Sequence, residues 1–280
     1  MLLRISPGVK MNLGFMQGRL SPMYNRKIQK FPVNHWKSEF YIASSLNINL
    51  IEWTIDEENF DKNPIVTKKG NSEILNLITK TGVKIQSITT DCFMQKPIWF
   101  KRNNYMKKKL SKLIRCCGNL KIKYIIFPLV DNSSLKKFKN LSEIIKIFFN
   151  FQNLLKKHNV QILFESDFKP EKLKNFISKF NNRFFGINYD SGNSASLGYD
   201  INKEFMHYGS FIKNIHIKDR IRKGNTIKLG MGNTNFNKLF KNIKRIKYKN
   251  NLILQTARSE SGEDIKELLD NLNFVKKFKI

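Results

Sequence analysis

The chain has 280 residues, 41% of them hydrophobic and 12% aromatic, which supplies a sizeable core for one large domain and excludes an intrinsically disordered chain. Its 51 Lys and Arg against 22 Asp and Glu give a formal charge of +29; yet the lysines are spread among abundant Asn and Ile, with no Arg-rich stripe or aromatic-interleaved basic patch, so the balance reads as A/T-biased codon usage rather than a nucleic-acid footprint. No apolar run approaches the roughly 18 residues that span a bilayer, and Cys92, Cys116 and Cys117 have no zinc-ligand spacing and no bridge between adjacent residues, as in a reduced cytoplasmic protein.

Residues 1–10 read as an N-terminal extension, too short and interrupted for a signal peptide. Strand-like runs then alternate with amphipathic stretches. The first strand is Met11–Met16, followed by a helix over Trp36–Leu46 and a second strand at Leu50–Trp53. Ser72–Thr81 is helical and stops at Gly82, and Val83–Thr89 is a third strand rich in β-branched residues. A Lys-rich helix over Asn104–Cys117 ends at Gly118, and Tyr124–Leu129 is the fourth strand. One helix is expected over Leu141–Lys157 before a fifth strand ending at Glu165.

Lys169–Phe180 is helical, with Pro170 in its first turn. The sixth strand, Phe184–Asp190, precedes a short helix at Asn202–His207 and a seventh strand ending at His216. Phe236–Ile243 is helical, the eighth strand ends at Gln255, and Glu263–Phe278 closes the chain. Eight strands alternating with helices predict an α/β fold, a single (β/α)8 TIM barrel over residues 11–280. An open dinucleotide-binding sheet fits less well, because Met16-Gln17-Gly18-Arg19-Leu20 lacks the glycine fingerprint.

Four strands end on metal-ligand side chains: Glu165, Asp190, His216 and Gln255. A parallel barrel gathers its chemistry at the C-terminal ends of its strands, so these four can converge on one divalent cation. Two carboxylates and an imidazole suit a hard or borderline ion of the Mn2+, Mg2+, Co2+ or Zn2+ type. Polar groups for a substrate are offered by Gln17 and Arg19 beyond the first strand, Asn193, Lys218, Arg220 and Arg258. Trp53, Phe93 and Trp99 can cover a sugar's apolar face or fill the core. Leu229-Gly230-Met231-Gly232-Asn233 lacks the Lys-Ser/Thr of a P-loop and reads as the loop after the seventh strand. The positive field favours anionic substrates such as sugar phosphates.

The runs Met16-Gln17-Gly18-Arg19-Leu20-Ser21-Pro22, Ile51-Glu52-Trp53, Tyr189-Asp190-Ser191-Gly192-Asn193, Ile215-His216-Ile217-Lys218-Asp219-Arg220 and Leu254-Gln255-Thr256-Ala257-Arg258 resemble the sugar phosphate isomerase/epimerase family, the xylose-isomerase-like TIM barrels. The resemblance runs from about residue 11 to the C-terminus. It implies a small sugar or sugar phosphate as partner, no membrane, no nucleic acid, and leaves room for a homo-oligomer. It also implies proton transfer through a metal-stabilised enediolate, with Glu165 as base. In related enzymes Glu, Asp, His and Glu hold the metal, and the two glutamates move protons on opposite faces of the sugar. Gln255 stands where the last glutamate is expected, and an amide cannot act as a general base near neutral pH.

Three mechanisms stay open on the sequence. Glu165 can act as a single base; Glu52, Asp91 or Asp219 can replace the missing carboxylate; or the barrel binds a sugar without turnover. Asp219 is also expected to orient His216 or a substrate cation. A dehydratase or lyase on the same site is a further alternative. An apurinic-site endonuclease-like nuclease fits least, since of His35, His158, His207 and His216 only the last sits at a convincing strand end.

Overall fold

The computed structural model describes residues 12–24, 27–100, 104–138 and 140–279; the expected extension over residues 1–10 and the strand start at Met11 lie outside them. The chain opens with β1 (Asn12–Met16), α1 (Trp36–Ser45), β2 (Leu50–Thr54), α2 (Lys68–Thr81), β3 (Lys84–Thr89), α3 (Asp91–Gln95) and α4 (Asn104–Asn119). It continues through β4 (Tyr124–Leu129), α5 (Leu141–Phe149), α6 (Gln152–His158), β5 (Gln161–Ser166), α7 (Pro170–Ile177) and β6 (Phe185–Asp190). After α8 (Ser191–Leu197), α9 (Ile201–Tyr208) and β7 (Ile212–Ile217) comes a small ribbon, β8 (Asp219–Arg220) with β9 (Thr226–Ile227). The chain then forms α10 (Phe236–Arg245), β10 (Asn251–Leu254) and α11 (Asp264–Lys276).

Eight parallel strands close in the order β1-β10-β7-β6-β5-β4-β3-β2, the predicted TIM barrel with β10 as its eighth strand. Strands buried on both faces need near-continuous apolar sequence, and Tyr-Ile-Ile-Phe-Pro-Leu of β4 is buried at every position. Outward-facing residues of the strands meet the helices in the main core. There Phe127, Phe148, Phe164, Phe180 and Phe185 stack edge-on and face-on at centroid distances of 4.7–6.5 Å. Each such fully buried phenyl contributes about 1.5–3 kcal/mol through removal from water. Gly70 is required where α2 passes Pro64, because a Cβ there would lie 2.4 Å from the proline backbone.

Several elements differ from expectation at their edges. The helix expected over 141–157 is two, broken at Asn150–Phe151. Ser191-Gly192-Asn193 starts α8, a helix the sequence does not announce, because the Asp190 carboxylate accepts the Asn193 N–H at 2.8 Å and caps it. The short helix α3 and the β8–β9 ribbon have no periodicity long enough to see in sequence. Cys92, Cys116 and Cys117 are free thiols.

By strict alternation, β2 turns Leu50, Glu52 and Thr54 inward, β6 turns Gly186, Asn188 and Asp190 inward, and β7 turns Asn214 and His216 inward. Two small apolar groups occupy the lumen, Met16–Leu50–Ile253 and Tyr124–Ile126–Leu163. The remaining inward side chains are polar and form the site. Asp190 and His216 are direct register partners, and both β2 and β6 carry a register shift just before their polar residues, at Ile51/Glu52 and Ile187/Asn188. Such irregularities re-aim side chains next to functional sites.

Candidate metal centre

Glu165, Asp190 and His216 are all buried, and each offers a ligand atom within 4.8 Å of the other two. The ends of β5, β6 and β7 put them there. His216 Nδ1 lies 3.3 Å from Glu165 Oε2 and 4.0 Å from Asp190 Oδ2. The Glu165 carboxylate is gripped on both oxygens: Asn193 Nδ2 donates to Oε1 at 2.8 Å and Asn188 Nδ2 to Oε2 at 2.7 Å. The Asn188 amide is set in turn by Asn214, which donates to its oxygen at 2.8 Å. These amides hold the carboxylate in one rotamer before any ligand arrives.

Glu52 lies beneath them, fully enclosed. It takes Ser87 Oγ and Thr89 Oγ1 at 2.6 Å each, Asn214 Nδ2 at 3.0 Å and the His216 Nε2 side at 2.6 Å. Four partners leave it no face towards the barrel mouth, so its position is that of a partner to His216, not of an acid reaching substrate. Burial by itself would lower the His216 pKa; the charges of Glu52 and Glu165 outweigh it and hold the imidazole up to about 10. Burial also disfavours the charged Glu52, and the His216 pair more than offsets it, so its pKa falls. Three carboxylates around one buried imidazole therefore draw in a positive charge at Nδ1. A site built that way, with two carboxylate ligands and a ring nitrogen fixed by a hydrogen bond on its far side, fits a divalent cation.

Gln255 sits just beyond β10 and faces the same space, but both ends of its amide are engaged. Its oxygen accepts from Lys218 Nζ at 3.4 Å, and its Nε2 donates to Gln29 Oε1 at 2.6 Å. Gln29 Nε2 donates onward to Asp91 Oδ2 at 2.8 Å. Lys218 Nζ also pairs with Asp190 Oδ2 at 3.3 Å. The chain Lys218–Gln255–Gln29–Asp91 thus crosses the mouth from the end of β7 to the end of β3. Gln29 was not singled out by sequence; it lies in an irregular loop after β1, and no local pattern marks it. Asn188 and Asn214 were also missed, though a signal existed: each lies two residues before a ligand, on the same face of an otherwise apolar strand.

Asp219 is placed differently from expectation. Its carboxylate accepts the backbone N–H groups of Gly230, Gly232 and Thr234, each at 2.9 Å, and it makes no hydrogen bond to His216. The glycine loop therefore turns its amides to an internal carboxylate instead of to a phosphate. The arginines are similarly committed. Arg220 donates to Gly224 O and, at 2.8 Å, to Asn193 Oδ1. Arg258 pairs with Asp264 at 3.2 Å and donates to Ser21 O. Arg19 donates twice to Thr256 O, and among the described residues its buried Nη1 has no partner, nor has the buried Gln17 Nε2. Trp53 packs against Phe31, Trp36 and Phe40, and Phe93 stacks on Phe127; both belong to the core and cover no sugar. Trp99 packs edge-on against Phe138.

The model of a family described as a xylose isomerase-like TIM barrel matches residues 40–278. No curated protein matches the sequence. Among solved structures, the IolI protein with a binding zinc atom is similar with a TM-score of 0.75 and 15% identity, covering 96% of this chain and 99% of that one. A xylose isomerase domain protein from Planctomyces limnophilus gives 0.73 at 13% identity, covering 95% and 96%. D-psicose 3-epimerase with D-tagatose from Clostridium cellulolyticum H10 gives 0.73 at 10% identity, covering 96% and 99%. At such identities the likeness is one of fold.

Proposed function

Since the chain belongs to the xylose isomerase-like TIM barrel family, we propose that it is a metal-dependent isomerase or epimerase of a small sugar or sugar phosphate. The observation that carries this reading is the convergence of Glu165, Asp190 and His216 at the barrel mouth, with ligand atoms within 4.8 Å of one another. Those three residues would hold the ion. Bound there, a divalent cation supplies Lewis-acid polarisation of a sugar carbonyl or hydroxyl oxygen.

The other steps fall to side chains. Glu165 removes the proton from the carbon beside the carbonyl, and the electron pair moves into an enediolate. Asn188 and Asn193 keep its carboxylate aimed during the transfer. Lys218, whose ammonium reaches Asp190 and Gln255, binds a sugar hydroxyl or a phosphate oxygen entering from above. Gln17 and Arg19 bring two buried donors that have no partner among the described residues, which suit additional substrate oxygens. Asn193, Arg220 and Arg258 then act on substrate by fixing the walls of the mouth. Glu52 holds the His216 ring. The Gln255 oxygen, which accepts from Lys218, would serve as a fourth, neutral ligand once that contact is released.

The test is exchange of a sugar C–H proton with solvent deuterium, followed by NMR with ketoses and aldoses and with Mn2+ or Zn2+ added. Metal-dependent exchange that disappears in Glu165→Gln is expected. Protein with bound metal that exchanges no proton on any sugar of the panel would overturn the reading.

A further inference from the structure

Lys218 follows β7, two residues after His216, and its seat is closely built. Ser191 Oγ accepts the Lys218 N–H at 2.9 Å and donates to its carbonyl at 2.7 Å, and Thr234 Oγ1 donates to the same carbonyl at 3.1 Å. The stem then passes over Gly192, where an added Cβ would lie 2.6 Å from Lys218 Cγ. A side chain at 192 would therefore obstruct the lysine. Among the described residues the ammonium has two acceptors, Asp190 Oδ2 at 3.3 Å and Gln255 Oε1 at 3.4 Å.

Both acceptors belong to the candidate metal centre. Asp190 Oδ1 accepts the Asn193 N–H, while Oδ2 is the oxygen that approaches His216 Nδ1, at 4.0 Å. The oxygen that Asp190 turns towards His216 is thus the one that Lys218 holds. Gln255 has a single oxygen, and Lys218 holds that too. An ammonium and a dication on the same oxygens repel each other, and burial strengthens the repulsion. One of the two must give way. The ligands are fixed: Glu165 is gripped by two amides, and Asp190 caps α8. Lys218 is not, because its charge rides on a flexible four-carbon stem. Its contacts are also longer than the roughly 2.7–2.9 Å of a strong charge-assisted bond, so they break at small cost.

We propose that Lys218 is a tethered cation that competes with the metal for Asp190 and Gln255 and moves off them as the metal enters. The order that follows, which rests on the isomerase/epimerase reading above, is metal first and substrate second. Without metal, the ammonium is spent on the protein's own oxygens. With metal, it is released to a substrate oxygen, and an anionic group such as a phosphate or carboxylate gains most from it. By linkage, a substrate that engages Lys218 tightens the metal in return. A Lys218–Asp190 pair that only braced the mouth would act with the opposite sign, since its loss would loosen Asp190 and weaken the metal.

The experiment titrates wild-type protein, Lys218→Met and Lys218→Arg with Mn2+, with circular dichroism to follow folding. Lys218→Met keeps an unbranched stem without the charge. It should bind Mn2+ about tenfold tighter or more, because a binding-competent state populated at one part in ten or less costs the ligand that factor. Lys218→Arg keeps the charge and should bind no tighter than wild type. In Lys218→Met, KM for the sugar that wild-type protein exchanges should rise by about 10- to 100-fold, the usual worth of a hydrogen bond to a charged group. Metal tighter and substrate weaker is a pair of changes that structural damage does not produce. A second measurement needs no variant: brief acetylation of wild-type protein, read by mass spectrometry, should label Lys218 faster with Mn2+ than without, against exposed lysines as reference. Lys218→Met binding Mn2+ no tighter than wild type, or Lys218 acetylated equally with and without Mn2+, overturns the proposal and leaves the proposed function standing. Mn2+-loaded wild-type protein that exchanges no sugar proton overturns the proposed function and the substrate half of this inference, while the Kd and acetylation results still decide the metal half.

Discussion

His216 Nε2 and Glu52 Oε1 lie 2.6 Å apart, with both side chains fully enclosed in the barrel. The contact spans 164 residues of sequence and fixes which ring nitrogen faces Glu165 and Asp190. A buried carboxylate behind a histidine ligand raises the ligand's basicity and locks its orientation. Glu52→Gln keeps the shape but puts an amide nitrogen where one oxygen accepted donors. Metal affinity should fall about 10- to 100-fold, measured as Kd by titration with Zn2+ or Mn2+. Stability should drop by about 1–3 kcal/mol, since one donor to the lost oxygen is left without an acceptor. Unchanged Kd in a folded variant would remove Glu52 from the site.

The same pair predicts a pH signature for metal-free protein. Burial lowers the His216 pKa, but Glu52 and Glu165 together raise it from 6.5 to about 10. A raised folded value means that this group's stabilisation is fully present below 6.5 and is lost as pH climbs towards 10. Metal must displace the proton from Nδ1, so binding should release about one proton and tighten by roughly tenfold per pH unit across this window. Titrating weakly buffered protein with Zn2+ measures the release. No proton release at pH 7 would contradict the placement of His216 as a ligand.

Gln255→Glu tests the arrangement at the mouth. A carboxylate there cannot donate to Gln29, so at 2.6 Å two oxygens would face each other. If Gln29 flips its amide, its carbonyl faces Asp91, and only protonated Asp91 satisfies it. Either way the loop after β1 loosens, while the site gains a third carboxylate beside Glu165 and Asp190. Metal Kd should tighten, and backbone amide exchange around Gln29–Phe31 should accelerate by about tenfold or more, both read on one protein sample. An unchanged exchange pattern would show that the Gln255–Gln29 bond does not hold the loop.

Most of the barrel and the convergence of Glu165, Asp190 and His216 were legible because they rest on local regularities. Parallel strands read as apolar runs, glycines close helices, and Glu165, Asp190 and His216 each sit at or within one residue of a strand's C-terminal end. What was not legible depends on which groups meet across the barrel. Asp219 is one residue past Lys218 in a run that resembles other family members, yet its carboxylate turns to the loop at 230–234. The arginines look available for phosphate in sequence, but most of their assigned donors go to backbone carbonyls, Asn193 and Asp264, pairings that no spacing reveals. Gln29 is invisible for the same reason: its partners, Gln255 and Asp91, are 226 and 62 residues away.

Asp219→Ala separates a loop anchor from a member of the metal site. The wild-type carboxylate accepts three backbone N–H groups at 2.9 Å, from Gly230, Gly232 and Thr234. The approach is so close that a Cβ on Gly232 would lie 2.4 Å from Asp219 Oδ1, and Gly230 has a φ of +86 that favours glycine. Removing the carboxylate leaves three donors without an acceptor. Met231, between two of them, is largely exposed, so water reaches part of the gap and limits the cost to about 1–3 kcal/mol. Amide exchange of Gly230, Gly232 and Thr234 should quicken, while metal content stays at the wild-type value because Asp219 contacts none of Glu165, Asp190 or His216. Loss of metal with the three amides still protected would reverse the assignment and return Asp219 to the site.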